Sequence, residues 1–467
     1  MSYELLDHLM AIAGEAPAGK DIELIGCDPI LPLPFRVGEM GAAVIGAAAV
    51  EAARIWEMRG GQRQRIRIDV DAAAVAMRSS RYLKIEPIEG QPEPKVNWNK
   101  RGKVGLGVFR TRDDRLIYFQ REFEYHRARM DAVLHCEDER ESMAAAVRNW
   151  DGQDLEEAVI QAGACAGLVR TMDQWRQHPQ GQALARLPLF DIVKIGDSLP
   201  EALTPSSRPL SGIRVLDLTR VLAGPTAGRA LAEHGADVLR ISSSKLPDDP
   251  AQAIDTGHGK RGADLDLDTE EGMVTLRSLI READVLSQAF RPRSFDARGL
   301  GPEAVAQMRP GIIYLTLSAF GHQGPWSSRR GFDSVVQAVS GIQMANASAE
   351  GQPRGFPNPL DYGTGYLAAF GVMVALGRRA REGGSYLVRV SLAQTGRWLQ
   401  SLPRVADFRE LPAELPEGRI ASLSTETKSP YGLLRHLAPV AQMSATQPYW
   451  ERPSVPLSHD RPEWLPR

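Results

Sequence analysis

The pattern of apolar and polar positions changes near residue 211. After this point, short runs of β-branched and leucine residues alternate with segments in which apolar residues recur every three or four positions. The first pattern predicts buried strands and the second predicts amphipathic helices. The predicted strands are 214–218, 236–241, 283–286 and 312–317, and the predicted helices are 226–234, 270–282 and 303–308. Such alternation indicates parallel βαβ units, so we expect an α/β fold with a Rossmann-like open, mainly parallel sheet and helices on both faces.

The pattern before residue 205 is mixed. Helical periodicity and strand-like runs occur there in irregular order, with helices predicted over 40–59 and 143–168 and strands over 65–70 and 116–120. We therefore predict a smaller α+β domain over 1–205 and a Rossmann-like domain over 206–400, joined by a linker rich in proline and serine at 203–210. Residues 401–467 are rich in proline, which is typical of a tail that wraps over a surface.

A weak internal repeat connects the two zones. Glu39-Met40-Gly41 opens an alanine-rich segment that is followed by two glycines and the apolar run 65–70. Asp361-Tyr362-Gly363 opens a similar segment, again followed by two glycines and an apolar run at 387–392. Alanine-rich helices that end in glycine are common, because glycine closes a helix in the left-handed conformation. The repeat alone therefore does not establish a duplication.

Composition narrows the class of protein without naming it. The chain has 467 residues and a formal net charge of −2, so its charge does not point to nucleic acid or an anionic membrane as a partner. Three cysteines without a CxxC pair, Cys27, Cys136 and Cys165, suit reduced thiols. The longest apolar stretch, 40–53, is too short to span a membrane and contains Glu51. We expect a cytoplasmic enzyme.

Asp361 is the leading candidate for chemistry. It lies just before a long alanine-rich segment, and aspartate is among the best helix N-caps, so this position needs no catalytic explanation. Gly363 and Gly365, however, remove side-chain bulk where a substrate would approach. A carboxylate that is fixed and shielded from water is a competent covalent nucleophile. On the residues alone, both interpretations stay open.

Two other segments are candidates for anion binding. The turn Leu222-Ala223-Gly224-Pro225 follows a predicted strand and opens a helix, where free backbone N–H groups can face an anion. Lys260 and Arg261 follow two glycines, and both side chains serve in phosphate binding. An ordinary βα turn and a solvated loop are the commoner explanations of such segments. The nine histidines do not cluster at metal-ligand spacing, so no metal site is predicted.

Taken in order, these segments resemble the family III CoA transferases, the CaiB–BaiF family. The similarity begins at 209–219, includes Ala223-Gly224-Pro225 and Gly259-Lys260-Arg261, and closes at 361–365. Between these come Phe290-Arg291-Pro292 and several shorter motifs in the family's order. The resemblance covers about 209–394, and the order of the motifs makes it far more specific than any one of them.

The resemblance implies a mechanism and a set of contacts. The family's nucleophile corresponds to Asp361, whose carboxylate would carry the acyl and CoA groups between carboxylic acids through a covalent aspartyl intermediate. An acyl-CoA and an acid acceptor would be its partners, a homodimer its assembly, and the CoA thioester a substrate, with no separate cofactor. The residues expected to contact coenzyme A are Leu222, Ala223, Lys260, Arg261, Ala289, Phe290, Arg298 and Gly363.

Several positions depart from the family pattern. Leu222 stands where a polar residue is common, and Ala297 stands at the place of a CoA-contacting arginine, with Arg298 beside it. The racemase branch of the superfamily uses a histidine where Phe332 stands, and phenylalanine cannot move a proton, so racemase chemistry is not expected. Two alternatives stay open: a catalytically silent CoA-binding paralogue or partner subunit, and a lyase or isomerase acting on a CoA thioester through the same carboxylate.

The N-terminal zone resembles the latter half of the same family, although it precedes the half that it normally follows. Segments at 67–70, 113–117, 172–175 and 184–194 carry this similarity. The order therefore indicates a rearranged or truncated tandem in which Glu39 takes the place of the nucleophile in a degenerate copy. We expect the zones before and after the linker 203–210 to fold as two halves of one module.

Overall fold

The computed structural model describes residues 2–90, 96, 104–246, 248–291 and 294–466. The N-terminal zone ends in a strand, β7, that becomes part of the main sheet, and a short 3₁₀ turn covers Ser79–Tyr82. Its elements are α1 (Ser2–Ile12), β1 (Ile22–Ile25), α2 (Val37–Met58), β2 (Ile66–Asp69), α3 (Val70–Ala76), β3 (Lys84–Glu86), β4 (Gly107–Arg110), β5 (Leu116–Phe119), α4 (Glu124–Leu134), α5 (Arg140–Val147), α6 (Gly152–Gln161), β6 (Ala166–Leu168), α7 (Met172–Gln177), α8 (Pro179–Ala185) and β7 (Asp191–Gly196).

After the linker, strands and helices alternate, and the predicted elements occur in the predicted order with α10 and β10 added between them. The elements are β8 (Arg214–Asp217), α9 (Ala223–Ala232), β9 (Asp237–Ser242), α10 (Pro250–Asp255), β10 (Lys260–Asp264), α11 (Glu270–Glu282), β11 (Val285–Gln288), α12 (Pro302–Met308), β12 (Ile313–Ser318), α13 (Asp333–Val339), α14 (Ile342–Ala345), α15 (Pro359–Glu382), β13 (Ser385–Ser391), α16 (Leu392–Ser401), α17 (Glu417–Ser422), β14 (Ser424–Ser429), β15 (Gly432–Leu437) and β16 (Gln442–Met443). Thr269 caps α11 by accepting a hydrogen bond from the backbone N–H of Gly272.

A seven-stranded sheet forms the centre of the fold. Its strand order is β10-β9-β8-β11-β12-β13-β7, in which the first six strands run parallel and β7 is antiparallel to β13. In the middle of the sheet, Leu216 pairs with Leu239 on one side and Leu286 on the other. All the residues of β8 and β11 are buried, as expected for parallel strands covered by helices on both faces. The predicted fold class is confirmed.

Three smaller sheets surround this centre, in the orders β1-β2-β16, β14-β15-β3 and β4-β5-β6. The sheet β4-β5-β6 packs with α4, α5 and α6 around an apolar core of its own, which includes Phe119 and Leu155. The largest apolar core joins residues from both zones of the chain, and within it α2 packs along α15. Among the described residues, no helix is both long enough and apolar enough to cross a membrane.

Three stretches differ from what the sequence pattern predicts. Residues 143–168, expected as one helix, form α5, α6 and β6, because the backbone at Asp151 is extended where α6 begins. Lys260 and Arg261, for which a loop was the commoner interpretation, instead begin β10 at the edge of the main sheet. The tail 401–467 lies over the main sheet, where the Trp464 indole bonds a carbonyl of α11, but it also supplies the β14–β15 hairpin.

The linker 203–210 has no regular structure and is held by a buried arginine. Arg59, at the end of α2, donates hydrogen bonds to the carbonyl oxygens of Thr204, Pro209 and Ser211 at 2.6–2.7 Å. Because β7 precedes this linker and yet pairs with β13, the residues before 205 contribute a strand to the main sheet. The division at residue 205 therefore does not separate two independent cores.

The internal repeat has a structural counterpart. The order β1–α2–β2–α3 parallels the order β12–α15–β13–α16, and in both cases the two strands pair in parallel. Asp28 accepts the backbone N–H of Glu39 at 2.8 Å, just as Asp333 accepts that of Asp361 at 2.9 Å. The Glu39 carboxylate, however, forms an ion pair with Arg36 at 2.8 Å. The rearranged order of the two halves stays a prediction.

Candidate active site

The carboxyl edge of the main sheet brings the predicted site residues together. The strands β8, β11 and β12 are parallel neighbours, so the loops that follow them leave the sheet at the same edge. The helix α9 starts there, directly after β8, and α15 begins there because it runs back to the start of β13. In open α/β sheets, ligands bind at this edge. Leu222, Ala223 and Asp361 all lie at these two helix starts.

Asp361 is the third residue of α15, not its N-cap. Its backbone N–H donates to the Asp333 carboxylate at 2.9 Å, and Gln337 donates a further short hydrogen bond to the same carboxylate. Asn358, at the N-cap position, adopts a left-handed conformation and makes no side-chain cap. Asp333 therefore caps the start of α15, which is the role that the sequence allowed for Asp361. The side chain of Asp361 does not cap the helix.

The surroundings of Asp361 favour its neutral form. Burial raises the pKa of the Asp361 carboxyl well above its ordinary value, and the neighbouring Asp333 raises it further. Burial also raises the pKa of Asp333 to about 6, although hydrogen bonds from Gln337 and from the N-terminus of α15 oppose this rise. Within the described residues, no hydrogen bond or ion pair reaches the Asp361 carboxylate, and the residue as a whole is 8% exposed. Its backbone is therefore fixed, whereas its carboxylate is unpaired.

The glycines that follow Asp361 serve packing rather than access. A Cβ atom added to Gly363 would lie 3.1 Å from Cε of Met40 in α2, and one added to Gly365 would lie 2.5 Å from the carbonyl oxygen of Ala223. The structure thus replaces the expected open approach with close contacts from α2 and α9. These contacts also place the start of α9 against the first turns of α15. The predicted contact of Gly363 with coenzyme A stays a prediction.

The turn before α9 is tightly bent. Val221 has a φ of 70°, a left-handed conformation that is strained for a β-branched residue. A Cβ atom on Gly224 would lie 2.3 Å from Cβ of Thr219, so only glycine fits there. Leu222 is 1% exposed, whereas Ala223 is partly exposed. Of the two residues predicted to contact coenzyme A here, Ala223 alone presents surface in this structure.

Lys260 and Arg261 do not lie on a solvated loop. Both are buried in β10, where the Lys260 ammonium is 2.8 Å from the Asp217 carboxylate. The Arg261 guanidinium is 3.1 Å from the Asp237 carboxylate and donates to the carbonyl of Glu463 in the tail. Because both charges are compensated inside the protein, neither cation is exposed to an incoming phosphate. Their role in CoA binding stays a prediction. The flexible loop on which that prediction was based is not present, because both residues lie in a strand.

The remaining predicted contacts lie after β11. Ala289 is exposed, and Phe290 is half-buried with its ring stacked on Phe295 at a centroid distance of 4.8 Å. Both residues follow the carboxyl end of β11, so they lie at the same edge as Ala223. Arg298 is instead held by the Asp268 carboxylate at 2.6 Å. Of the residues predicted from the sequence, Ala223, Ala289 and Phe290 thus lie at the carboxyl edge of the main sheet. The three predicted cations instead form ion pairs with carboxylates of the protein.

Sequence reasoning missed the contribution of α4. The rings of Phe123 and His126 lie 5.8 and 5.5 Å from the ring of Phe332, directly before Asp333. The helix α4 therefore packs on the segment that leads to the residue holding Asp361. No local pattern in the sequence indicates this contact, because more than 200 residues separate the two segments.

Comparisons with known proteins point to one family of enzymes. A family model described as CoA-transferase family III matches residues 210–433. An acyl-CoA transferase of Gibberella moniliformis is 28% identical, with 92% of this chain and 88% of the relative covered. The succinate–glutarate CoA-transferase of Agrobacterium fabrum is 34% identical over 39% of this chain and 51% of that enzyme. Over just under half of its length, the chain is thus similar to CoA-transferase family III. The predicted family is confirmed, and the predicted enzyme class, a CoA transferase, is supported.

A solved structure of the family gives a partial match. The crystal structure of a CaiB/BaiF family protein from Brucella suis is 29% identical and covers 42% of this chain and 56% of that protein, with a TM-score of 0.39. The chain spans about half the length of other curated relatives that it matches, for example 44% and 59% of two of them. The family match lies mainly in the part of the chain after the linker.

Proposed function

We propose that this protein is a CoA transferase that moves coenzyme A between carboxylic acids through a covalent intermediate on Asp361. The observation that carries this proposal is the state of that carboxylate. Its backbone is fixed by Asp333, and within the described residues its side chain has no hydrogen-bond or ion-pair partner. A carboxylate with a purely structural role would be expected to bond a cap or a cation, as Glu39 does with Arg36.

The proposed reaction starts when the Asp361 carboxyl loses its proton. One carboxylate oxygen then attacks the thioester carbonyl of acyl-CoA, which gives an acyl–aspartyl anhydride and CoA thiolate. The thiolate attacks the aspartyl carbonyl, releases the first acid as its carboxylate and leaves an aspartyl-CoA thioester. The second acid repeats these two steps in reverse, and Asp361 returns as a free carboxylate. No water enters the balance, and no electrons are gained or lost.

The surroundings of Asp361 suit these steps in two ways. The position at the start of α15 places the positive end of the helix dipole beside the negative charge that develops on the attacked carbonyl oxygen. The burial of Asp361 limits the access of water to the anhydride, which water would hydrolyse. Limited access of water therefore favours transfer between acids over hydrolysis.

The proposed partners are an acyl-CoA, a carboxylic acid and, from the family resemblance, a second copy of the chain. Named relatives include a succinate–glutarate CoA-transferase and subunits of a succinyl-CoA–L-malate CoA-transferase, so small dicarboxylic acids are the first acids to try. All three cysteines are free, which suits the reducing cytoplasm that we propose as its compartment.

The test is to trap the intermediate. The protein is incubated with a panel of acyl-CoA thioesters and then with hydroxylamine, which converts an activated aspartyl group to a hydroxamate that peptide mass spectrometry locates. We expect the label on Asp361 and none in Asp361→Asn, which keeps the shape of the side chain without its nucleophile. Full turnover by Asp361→Ala would contradict the proposal.

A catalytically silent CoA-binding protein is the second candidate, because Leu222 offers no polar group beside the nucleophile and Lys260 is engaged by Asp217. Binding of coenzyme A without acyl exchange for any acid in the panel would favour it.

A further inference from the structure

A cavity of about 360 Å³ lies beside the start of α15, where Pro357 and Pro359 form part of its wall. Small-molecule sites in proteins have volumes of about 300–1,000 Å³, so this cavity is large enough for a ligand. Neither Asp361 nor any residue predicted to contact coenzyme A is among the described residues that line it. Its walls come from four stretches of the chain, at 31–37, 74–81, 346–359 and 408–413.

The internal repeat accounts for the position of this cavity. The segment 31–37 ends at the first residue of α2, and the segment 354–359 ends at the first residue of α15. The two helices start side by side, because a Cβ atom added to Gly363 would lie 3.1 Å from the side chain of Met40. Both copies of the repeat therefore contribute to one cavity. The first copy lines it with apolar side chains, whereas the second copy adds Arg354.

Most of the cavity wall is apolar. Leu33, Val37 and Met77 are buried and line it from the N-terminal zone. Phe356, before α15, and Phe408, in the tail, add two aromatic rings. A hydrocarbon chain placed among these side chains would leave water, and the gain in free energy would be proportional to the apolar area buried.

Four arginines line the same cavity, and one carboxylate compensates two of them. Arg78 and Arg81 share Glu414, at 2.8 and 2.9 Å. The buried Nε of Arg78 has no hydrogen-bond partner among the described residues. In the same part of the chain, Arg354 and Arg409 have no carboxylate within ion-pairing distance, and no acidic side chain lines the cavity. The cavity therefore carries an excess of positive charge.

Hydrogen bonds hold the two unpaired arginines at the cavity. The backbone N–H of Arg354 donates to the carbonyl oxygen of Gln343 at 3.1 Å, and its carbonyl oxygen accepts from the Asn346 amide at 3.1 Å. The guanidinium of Arg409 donates to the carbonyl oxygen of Ala347 at 2.7 Å. Both arginines are exposed, so their charged ends can meet a ligand. Guanidinium groups bind carboxylates through paired, charge-assisted hydrogen bonds.

The wall of the cavity is also bonded to the residues that hold Asp361. Phe356 exchanges two backbone hydrogen bonds with the side-chain amide of Gln337, at 3.1 and 2.9 Å. The same amide donates to the carboxylate of Asp333, which accepts the backbone N–H of Asp361. The cavity is thus close to the active site without including the nucleophile.

We propose that this cavity binds a free apolar carboxylic acid, with its hydrocarbon chain against the apolar wall and its carboxylate on Arg354 and Arg409. The charge and the apolar surface of the cavity are both complementary to such a ligand, and neither alone would select it. The site is separate from the one at Asp361, so this inference does not depend on the proposed function.

Calorimetric binding of three probes tests the assignment. Octanoate has a chain and a charge, octanamide has the same chain without the charge, and acetate has the charge without the chain. The unaltered protein should bind octanoate about tenfold or more tightly than either of the others. The double variant Arg354→Gln/Arg409→Gln should bind octanoate about tenfold or more weakly than the unaltered protein, and octanamide equally well. The control variant Arg186→Gln/Arg397→Gln removes two exposed arginines that also lack a carboxylate partner among the described residues, and it should leave both affinities unchanged.

Unchanged affinity of the double variant for octanoate would overturn the assignment, as would equal binding of octanamide and octanoate by the unaltered protein, or no binding of octanoate at all. If the double variant does not fold, Ala347→Trp decides. It adds bulk to the cavity wall without removing a charge, so it should abolish octanoate binding, and retained binding would overturn the assignment. Asp361→Asn separates this site from the transferase, because it should bind octanoate as tightly as the unaltered protein does. A loss there would place the acid at the nucleophile and refute the separate site alone, whereas failure to trap an intermediate on Asp361 would refute the transferase alone.

Discussion

Replacing Gly365 with alanine should push α9 away from α15 and disturb the predicted CoA turn. The added Cβ would lie 2.5 Å from the backbone carbonyl oxygen of Ala223 and 2.7 Å from Cβ of Thr226. Neither atom is the end of a flexible side chain, so the two helices themselves must move apart. Forcing extra bulk into a packed core costs about 1–3 kcal/mol.

A second glycine of the same helix supplies the matched control. Gly377 is also buried in α15, but a Cβ there would meet its nearest atoms at 3.4 and 3.5 Å, which are ordinary contacts with the ends of Arg381 and Met58. Alanine is favoured over glycine inside a helix by about 1 kcal/mol at either position. This preference cancels between the two variants, so Gly365→Ala should be less stable than Gly377→Ala by about 1–3 kcal/mol.

Thermal unfolding of both variants measures the difference in stability, and calorimetric binding of coenzyme A measures the effect on the turn. We expect Gly377→Ala to match or exceed the unaltered protein in both assays. Gly365→Ala should unfold at a lower temperature and bind coenzyme A more weakly, because Ala223 carries the overlapping oxygen. If the two variants were equally stable and bound coenzyme A equally well, the close contact between α9 and α15 would not exist.

Three further predictions follow from the same contacts. Because burial and Asp333 raise the pKa of Asp361, the rate of the first acylation should rise as the pH rises through that raised pKa; a rate that stays level or falls with rising pH over the whole range in which the protein remains folded would contradict this. Lys260→Met should destabilise the fold by about 3–5 kcal/mol, seen in denaturant unfolding, because it leaves the buried Asp217 charge unpaired; a loss below about 1 kcal/mol would refute this. Residues 1–207 and the remainder, expressed separately, should be active only after co-expression, because the remainder lacks β7; a soluble and fully active remainder would show that the N-terminal zone is an appendage.

The architecture after the linker could be predicted from local pattern. Short apolar runs identified β8, β9, β11 and β12, and each boundary differs from the observed one by two residues or fewer. Thr269 signalled the start of α11, since its side chain bonds an N–H only three residues away. The interactions that form these helices and strands are local, or they follow from the burial of one face. A hydrophobic periodicity of two or 3.6 residues is therefore sufficient to predict them.

The same local information failed where a residue's role depends on a distant partner. Lys260 was interpreted as part of a solvated loop because its neighbours are glycines, yet its charge is cancelled by Asp217, 43 residues earlier in the chain. Gly365 was interpreted as an opening, yet it is the point where α9 crosses α15. Both interpretations used sound local rules, but no local rule reports which helix or strand comes to lie alongside.

The sequence by itself thus determined most of the strands and helices after the linker, the family and the candidate nucleophile, because each is written in contiguous motifs. The tertiary structure decided the pKa and the hydrogen bonding of that nucleophile. Asp333 takes over the cap and raises the pKa of Asp361 from a position 28 residues away, and α4, from outside the matched segment, packs on Phe332 directly before Asp333. Burial, charge pairing and desolvation depend on distances in space between residues far apart in the chain, and only the folded chain fixes those distances.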